Sequence, residues 1–361
     1  MRRSLYSDHA LKLGLFTANA ASSLTVLPER WPATWPENVA VAQLADGAGL
    51  DFLLPIARWR GAGANSHRAT FETLTWATGL LALTERITVF ATIHVPLVNP
   101  LAAAKMLVTA DHVGSGRVGL NIVVGWNEPE FGMFGVEQRP PEQRYPYAQE
   151  WIDVVKRIWT ADEPFDYDGA FLQLRGVEGN PKLVGADAPL LINAGRSPAG
   201  RQYAIRNCDA FFTSTGQITF GEVAAKVRAF QGEARASGRD LDVYSDGICV
   251  CRPTQREAEE YFRYAVLENA DWALIGRRLE RRAPVAVAER EQLVQSATGR
   301  DFVGDPDEIA RQFAEMARAG IHGLALNFVH HLNELPFFNA EVLPRLERLG
   351  LRSPITAKER T

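Results

Sequence analysis

Polar side chains interrupt or follow several apolar, β-branched runs in this chain. In the run Val118–Val124, Asn121 stands among Leu, Ile and Val, and Glu130 follows soon after the run ends at Gly125. A buried amide without a hydrogen-bond partner costs about 1–3 kcal/mol, so Asn121 needs a partner inside the fold. A bound ligand with a donor and an acceptor would supply one, and so would a neighbouring strand.

The same pattern recurs after other apolar runs. Thr92 and His94 close one run, Arg58 follows Pro55 at the end of another, and Ser197 opens a helical pattern after a third. A helix N-terminus beside arginines is a favourable place for an anion such as phosphate. Ser197 would serve equally well as a plain helix N-cap.

Hydrophobic periodicity alternates between strand and helix along nearly the whole chain. The predicted strands are Leu11–Thr17, Asp51–Ile56, Ile87–Ile93, Arg117–Val124, Leu190–Ala194, Ala210–Ser214, Val243–Val250 and Gly323–Phe328. The predicted helices are Glu37–Gly47, Thr70–Leu83, Leu101–His112, Tyr147–Trp159, Pro198–Asn207, Phe220–Ser237, Gln255–Ala273, Pro306–Ala319 and Asn339–Leu349.

Eight strand–helix units favour a closed (β/α)8 barrel, or TIM barrel, as a single domain over residues 1–361. A doubly wound open sheet is the alternative, but no G-x-G-x-x-G follows the first strand. Two insertions, at about 160–187 and 277–303, exceed the minimal barrel. The first predicts a β-hairpin around Asp168-Gly169, and the second is a candidate active-site lid. Because barrel strands converge at their carboxyl ends, the polar residues named above should share one site.

The composition and short motifs argue against several classes of protein. A formal net charge of −4 gives no basic surface for nucleic acid or an anionic membrane. Three cysteines are too few for a disulfide framework, and neither they nor the histidines have the spacing of metal ligands. No signal peptide, membrane-spanning run or G-x-S-x-G nucleophile motif is present, so we expect a cytoplasmic enzyme without a serine triad.

The chain resembles the bacterial-luciferase-like flavin monooxygenases from about Gly14 to Leu349. The resemblance rests on Asp111–Trp126 with the following PEFGMFG, on Gln143–Trp159 and on Ile192–Ala204. Within the family it is most similar to the pyrimidine (uracil) ring-opening monooxygenases, and next to the dimethyl sulfone and alkanesulfonate monooxygenases.

The resemblance implies a two-component enzyme. Reduced FMN would come from a separate NAD(P)H:flavin reductase, and O2 would supply one oxygen atom to a small organic substrate. The substrate is expected to be an N-heterocycle or amide, attacked by a peroxyflavin. The alternatives are a sulfone- or sulfonate-type monooxygenase that cleaves C–S bonds, a deazaflavin-dependent hydride-transfer enzyme, and a flavin-binding barrel without activity. Family members are commonly homodimers or homotetramers joined through the second and third helices, so the same is expected here.

The resemblance also implies roles for individual residues. Leu54, Thr92 and Asn121 match the family's small O2 pocket beside the flavin, where a hydroxyl and an amide would hydrogen-bond a nascent peroxide, and they are the predicted catalytic residues. The predicted cofactor-binding residues are Ala57, Arg58, Asn121, Glu130, Arg144, Tyr145 and Ser197, of which Ser197 matches a phosphate-binding serine.

The chain departs from the family at two places that concern the substrate. Asp246 and Ile248 stand where the alkanesulfonate monooxygenases carry an arginine and a histidine, which argues against a sulfonate. Trp59 follows Arg58 where the ring-opening enzymes have a smaller residue next to a lysine, so uracil itself is not expected as the substrate.

Overall fold

The computed structural model describes residues 5, 7–22, 25–61, 69–125, 127–185, 187–216, 218–272, 275 and 299–354. Eight parallel strands close into a barrel, and each predicted strand is present with both ends within two residues of the prediction. The predicted TIM barrel is therefore confirmed. Around the barrel the strands are β1 (Lys12–Phe16), β2 (Phe52–Leu54), β3 (Thr88–His94), β4 (Val118–Val123), β7 (Leu190–Asn193), β8 (Ala210–Phe212), β9 (Asp242–Cys251) and β11 (Gly323–Asn327).

Helices pack on the outside of these strands. Among the described helices, none combines the length and the apolar composition that crossing a bilayer requires. The α-helices are α1 (Trp35–Gly47), α2 (Thr73–Leu81), α3 (Pro100–Val113), α4 (Glu128–Met133), α5 (Pro141–Thr160), α6 (Pro198–Asn207), α7 (Phe220–Ala236), α8 (Gln255–Phe262), α9 (Pro306–Arg318), α10 (His331–Glu341) and α11 (Leu343–Arg348), and a π-helix, Arg263–Glu268, continues α8.

The predicted helix Gln255–Ala273 is too long, because α8 and the π-helix that continues it end at Glu268. Two other helix predictions are wrong in their bounds because a proline lies inside the helix. Helix α5 begins at Pro141 and not at Tyr147, since it includes Pro146. The predicted last helix, Asn339–Leu349, is in fact the end of α10, which contains Pro336, followed by α11. Proline lacks the amide proton that a helix interior uses, so a pattern read from sequence places a helix end near it.

The first insertion contains the predicted hairpin. β5 (Phe165–Asp168) and β6 (Gln173–Val177) form an antiparallel pair. In the second insertion, residues 277–298 of the predicted lid lie outside the described residues. Its end differs from the prediction, because β10 (Arg300–Gly304) is a strand that pairs in parallel with β9.

Aromatic rings fill the half of the barrel interior that lies towards the amino-terminal ends of the strands. Phe52 lies with its ring centroid 6.2 Å from that of Phe90 and 5.6 Å from that of Tyr244. Glycines make room for these rings, since a Cβ atom at Gly14 would overlap Phe52 and one at Gly119 would overlap Phe90. The interior is therefore closed near the amino-terminal ends of the strands, and the space for a ligand lies towards their carboxyl ends.

Two buried charges at the amino-terminal face, Asp51 and Arg117, each have several hydrogen-bond partners. The Asp51 carboxylate accepts hydrogen bonds from the backbone N–H of Leu13 (2.8 Å), from the Ser7 hydroxyl (3.2 Å), from His9 and from Arg352. Burial alone would raise the pKa of Asp51, but the Arg352 guanidinium and His9 bring it below its ordinary value. Nearby, the buried guanidinium of Arg117 donates four hydrogen bonds of 2.8–3.1 Å.

Candidate active site

A cavity of about 390 Å³ opens at the carboxyl ends of the barrel strands. Its volume lies in the range of small-molecule sites, and most of its wall is apolar. Phe16 and Phe212, whose ring centroids are 5.7 Å apart, form one wall. The other lining residues are Leu54, Pro55, Ile56, Ala57, Arg58, Thr92, His94, Asn121, Ile122, Val123, Val124, Gly125, Tyr145, Asn193, Ala194 and Gly195.

Thr92 and Asn121 are register partners on β3 and β4, so their side chains lie side by side in the cavity. The Thr92 hydroxyl donates to the carbonyl oxygen of Pro55 (2.6 Å) and accepts from Asn121 Nδ2 at 3.3 Å. These bonds fix the side-chain amide of Asn121. Among the described residues, its buried Oδ1 atom has no hydrogen-bond partner, so the amide presents an unused acceptor to the cavity.

His94 lies one inward-facing position beyond Thr92 on β3 and is 5% exposed. Burial, and to a smaller extent Arg58, lower its pKa to about 4 although Glu130 opposes the shift, so the imidazole is neutral at pH 7. Its Nδ1 atom is 3.8 Å from Glu130 Oε2 and has no hydrogen-bond partner in the described parts of the chain. His94 therefore adds a second unused polar atom to the same cavity.

Glu130 is 1% exposed and lies behind the cavity wall. Its Oε1 accepts the backbone N–H groups of Trp59 (3.1 Å) and Arg60 (3.3 Å). Burial lowers the pKa of Arg58, and the nearby Glu130 carboxylate acts in the opposite direction. Glu130 thus holds the loop after β2, and with it Arg58, against α4.

The loop after β7 forms the opposite side of the opening. Asn193 Nδ2 donates to the Ile122 carbonyl oxygen (2.7 Å), and its Oδ1 accepts the Gly195 N–H (2.9 Å). A Cβ atom at Gly195 would overlap the Tyr145 hydroxyl, so only glycine allows this approach. Burial raises the pKa of Tyr145, whose hydroxyl hydrogen-bonds the exposed Ser197. Ser197 in turn caps α6 through Gly200 N at 3.1 Å.

The structure brings most of the predicted site residues together. Those that line the cavity are Leu54, Ala57, Arg58, Thr92, Asn121 and Tyr145. Glu130 and Ser197 lie just outside it and touch its lining through hydrogen bonds. Arg144 is half-buried, does not line the cavity, and donates from Nε to the Arg139 carbonyl oxygen (2.8 Å). Trp126 lies outside the described residues.

Sequence reasoning missed three residues that shape the cavity, namely Phe16, Phe212 and Asn193. The two phenylalanines are the last residues of β1 and β8, where an aromatic side chain is indistinguishable from an ordinary core residue. Asn193 carried the same signal as Asn121, because it is an amide in an otherwise apolar strand that precedes a glycine.

Solved structures share this architecture. A riboflavin lyase, solved with modified FMN and its substrate riboflavin, superposes with a TM-score of 0.83 at 24% identity and covers 95% of this chain and 93% of its own. A long-chain alkane monooxygenase gives a TM-score of 0.84 at 16% identity, covering 96% of this chain and 93% of its own. At these identities the similarity establishes the fold.

Sequence comparison establishes the family. A dimethylsulfone monooxygenase of Pseudomonas putida, described as FMNH2-dependent, is 28% identical over 94% of this chain and 96% of its own length. A pyrimidine monooxygenase of Enterobacter sp. (strain 638) is 26% identical over 93% of this chain and 96% of its own length. The model of the luciferase-like monooxygenase family matches residues 11–323. This chain therefore belongs to the luciferase-like monooxygenase family.

Proposed function

We propose that this chain is an FMNH2-dependent monooxygenase that inserts one oxygen atom from O2 into a small organic substrate in the cavity above β3 and β4. Reduced FMN is supplied by a separate flavin reductase. The observation that carries the proposal is the buried, unpaired Oδ1 of Asn121 beside Thr92 in a largely apolar cavity. The FMNH2 dependence of the dimethylsulfone monooxygenase relative supports the choice of cofactor.

The residues around the cavity fit this cofactor. Apolar residues such as Leu54 and Ala57 offer contacts for a flat ring, and Arg58 offers a cation. The hydrogen-bonded pair of Tyr145 and Ser197, at the N-terminus of α6 beside Gly195, offers donors for a phosphate. When bound in its reduced form, FMN supplies the electrons that activate O2.

In this proposal, Asn121 is the residue that meets the reacting atoms. One Nδ2 proton is used on Thr92, so the second Nδ2 proton is available to stabilise negative charge that develops on oxygen. The Thr92 hydroxyl proton is used in the hydrogen bond to the Pro55 carbonyl oxygen, so Thr92 acts mainly by orienting the Asn121 amide. Leu54 contributes an apolar wall that keeps water away from this point.

We further propose a small N-heterocycle or amide as the substrate. The unpaired Asn121 Oδ1 can accept the N–H group of such a molecule, and the His94 imidazole adds a second polar group to the same cavity wall. Because the pKa of His94 is about 4, its neutral ring does not attract an anion at pH 7. A sulfonate substrate is not proposed, since Asp246 stands where the alkanesulfonate monooxygenases carry an arginine. Deazaflavin-dependent hydride transfer is not proposed, since the two sequence relatives described above are named as monooxygenases.

The test is an anaerobic titration with FMNH2, followed by 18O2 and a panel of N-heterocycles, amides, sulfones and sulfonates. We expect one labelled oxygen atom in an N-heterocycle or amide product, detected by mass spectrometry. Label confined to a sulfone or sulfonate product would refute the proposed substrate class. Absence of FMNH2 binding would refute the proposed function as a whole.

A further inference from the structure

A second cavity, of about 310 Å³, lies on the outer side of the barrel wall between α6 and α7. We call it the outer cavity. Its apolar floor is formed by Phe211 of β8 and Val243 of β9, and by Val227 and Phe230 of α7. The rings of Phe211 and Phe230 stack at 4.2 Å between centroids. It shares no lining residue with the cavity described above, although the two adjoin at Gly195-Arg196.

The rim of the outer cavity is positively charged. Arg196, Arg201 and Lys226 line it, against the single carboxylate of Glu233. Glu233 is engaged by Arg201 at 3.2 Å. Lys226 Nζ donates one hydrogen bond, to the Ser214 carbonyl oxygen (2.9 Å), and keeps further protons for another acceptor. Burial and then Arg196 lower the pKa of Lys226, as expected where cations lie close together without enough anions.

A buried hydroxyl completes the outer cavity. Thr213 is 3% exposed and lines it, and its backbone N–H donates to the Tyr244 carbonyl oxygen (2.8 Å). In the described part of the chain, Thr213 Oγ1 has no hydrogen-bond partner. A buried hydroxyl left unpaired costs free energy that valine at the same position would not cost. An acceptor from a ligand would remove that cost.

We propose that the outer cavity binds a small organic anion. Its phosphate or carboxylate group would be held by Arg196, Lys226 and the Thr213 hydroxyl, and its apolar body would rest on Phe230 and Val227. The positive rim, the Thr213 hydroxyl and the apolar floor would then all contact one ligand. None of these groups lines the cavity proposed for the monooxygenase reaction. The site is therefore separate from the pocket proposed for FMN.

Calorimetric titration of the FMN-saturated protein tests the proposal, with phenyl phosphate and inorganic phosphate as probes at constant ionic strength. We expect one phenyl phosphate per chain, bound about tenfold more tightly than inorganic phosphate because its ring is buried on the apolar floor. Thr213→Val and Lys226→Met should each weaken phenyl phosphate binding at least about fivefold, since each removes one polar contact to the anion. The affinity for FMN should stay the same in both variants.

Arg228→Gln is the matched control, because it removes a cation from the same helix outside the cavity lining. It should leave phenyl phosphate binding within about twofold, as expected for an exposed charge. Thr213→Val should unfold at the same temperature as the wild type or higher, which separates a binding effect from a folding defect. Loss of phenyl phosphate binding upon FMN saturation, equal weakening by Arg228→Gln, or no saturable binding would each overturn the proposal.

Discussion

Buried polar groups at the two ends of this barrel differ in how many hydrogen-bond partners they have. At the amino-terminal face, Asp51 accepts hydrogen bonds from four partners and Arg117 donates four hydrogen bonds. At the carboxyl end, buried atoms of Asn121 and His94 have no hydrogen-bond partner among the described residues. The first arrangement stabilises the closed barrel, whereas the second leaves capacity for a ligand. The comparison predicts that substitutions at one end change stability and that substitutions at the other change chemistry.

The largest effect is expected at the amino-terminal face. Asp51→Ala leaves the buried Arg352 guanidinium without its carboxylate, so we expect the free energy of unfolding to fall by about 3–5 kcal/mol. Urea unfolding measures this. Turnover per folded molecule should be unchanged, and Asp51→Asn, which keeps an acceptor, should cost less. A loss below about 1 kcal/mol would contradict the assignment of this end to stability.

Asn121→Ala is the corresponding change at the carboxyl end. We expect oxygen insertion to fall by about 10²–10³-fold, since removal of one donor to developing charge has this effect. The affinity for FMN should stay within about tenfold. The free energy of unfolding should fall by no more than about 1 kcal/mol, because the only hydrogen bond of the amide among the described residues is the 3.3 Å bond from Nδ2 to Thr92. Product analysis with 18O2 and a flavin-fluorescence titration measure the two quantities. Unchanged turnover would refute the role of Asn121.

His94 should give the carboxyl end its own pH dependence. The pKa of His94 is about 4 in the folded chain, against an ordinary value of 6.5, so the unfolded chain binds this proton first as pH falls. Between pH 6.5 and 4, the free energy of unfolding of the wild type should therefore fall by about 1.4 kcal/mol per pH unit relative to that of His94→Asn. Above pH 7 the difference between the two proteins should not change with pH. Urea unfolding of both proteins across this range measures it, and parallel curves would contradict the buried neutral imidazole.

The contribution of Asp51 occupies a different pH range. Its folded pKa lies below the ordinary value of 3.8, so its stabilisation is complete above that pH and is lost as pH falls through the lower folded value. Wild type and Asp51→Asn should therefore converge in stability as pH falls from about 4 into stronger acid. A stability difference that persists in strong acid would contradict this interpretation.

Substitution of Glu130 should have a smaller effect, on the affinity for FMN, because Glu130 holds the loop that carries Arg58. Glu130→Ala removes the acceptor of two backbone N–H groups in the loop that carries Arg58. We expect the dissociation constant for FMN to rise about tenfold, which corresponds to about 1.4 kcal/mol. Glu130→Gln retains an acceptor oxygen and should recover most of the affinity. If both variants bind FMN like the wild type, the loop does not depend on Glu130.

The smallest effect is expected at the outer surface of α3. Met106 is 43% exposed and Val113 is 41% exposed, and their spacing places them on one face of the helix. We propose that this face takes part in a homodimer or homotetramer. Light scattering at micromolar concentration should show an oligomer, and Met106→Glu should weaken it about tenfold. A monomeric wild type would remove this proposal.

The sequence predicted the barrel because eight buried strands alternate with helices at regular intervals. It also predicted that Thr92 and Asn121 lie together, since both are polar residues in apolar strands and the strands meet at their carboxyl ends. It did not predict β10, whose charged residues pair with the extended end of β9 only in the folded chain. Nor did it show that Glu130 lies behind the cavity wall, because that placement depends on tertiary contacts of α4.

The rings of Phe52, Phe90 and Tyr244 have one more consequence. In the described part of the chain they close the barrel interior on the amino-terminal side of Thr92 and Asn121, so a ligand reaches these side chains from the carboxyl ends of the strands. In the proposed reaction, reduced FMN and the organic substrate would therefore enter from the same side. We then expect product that remains in the cavity to compete with the next reduced flavin.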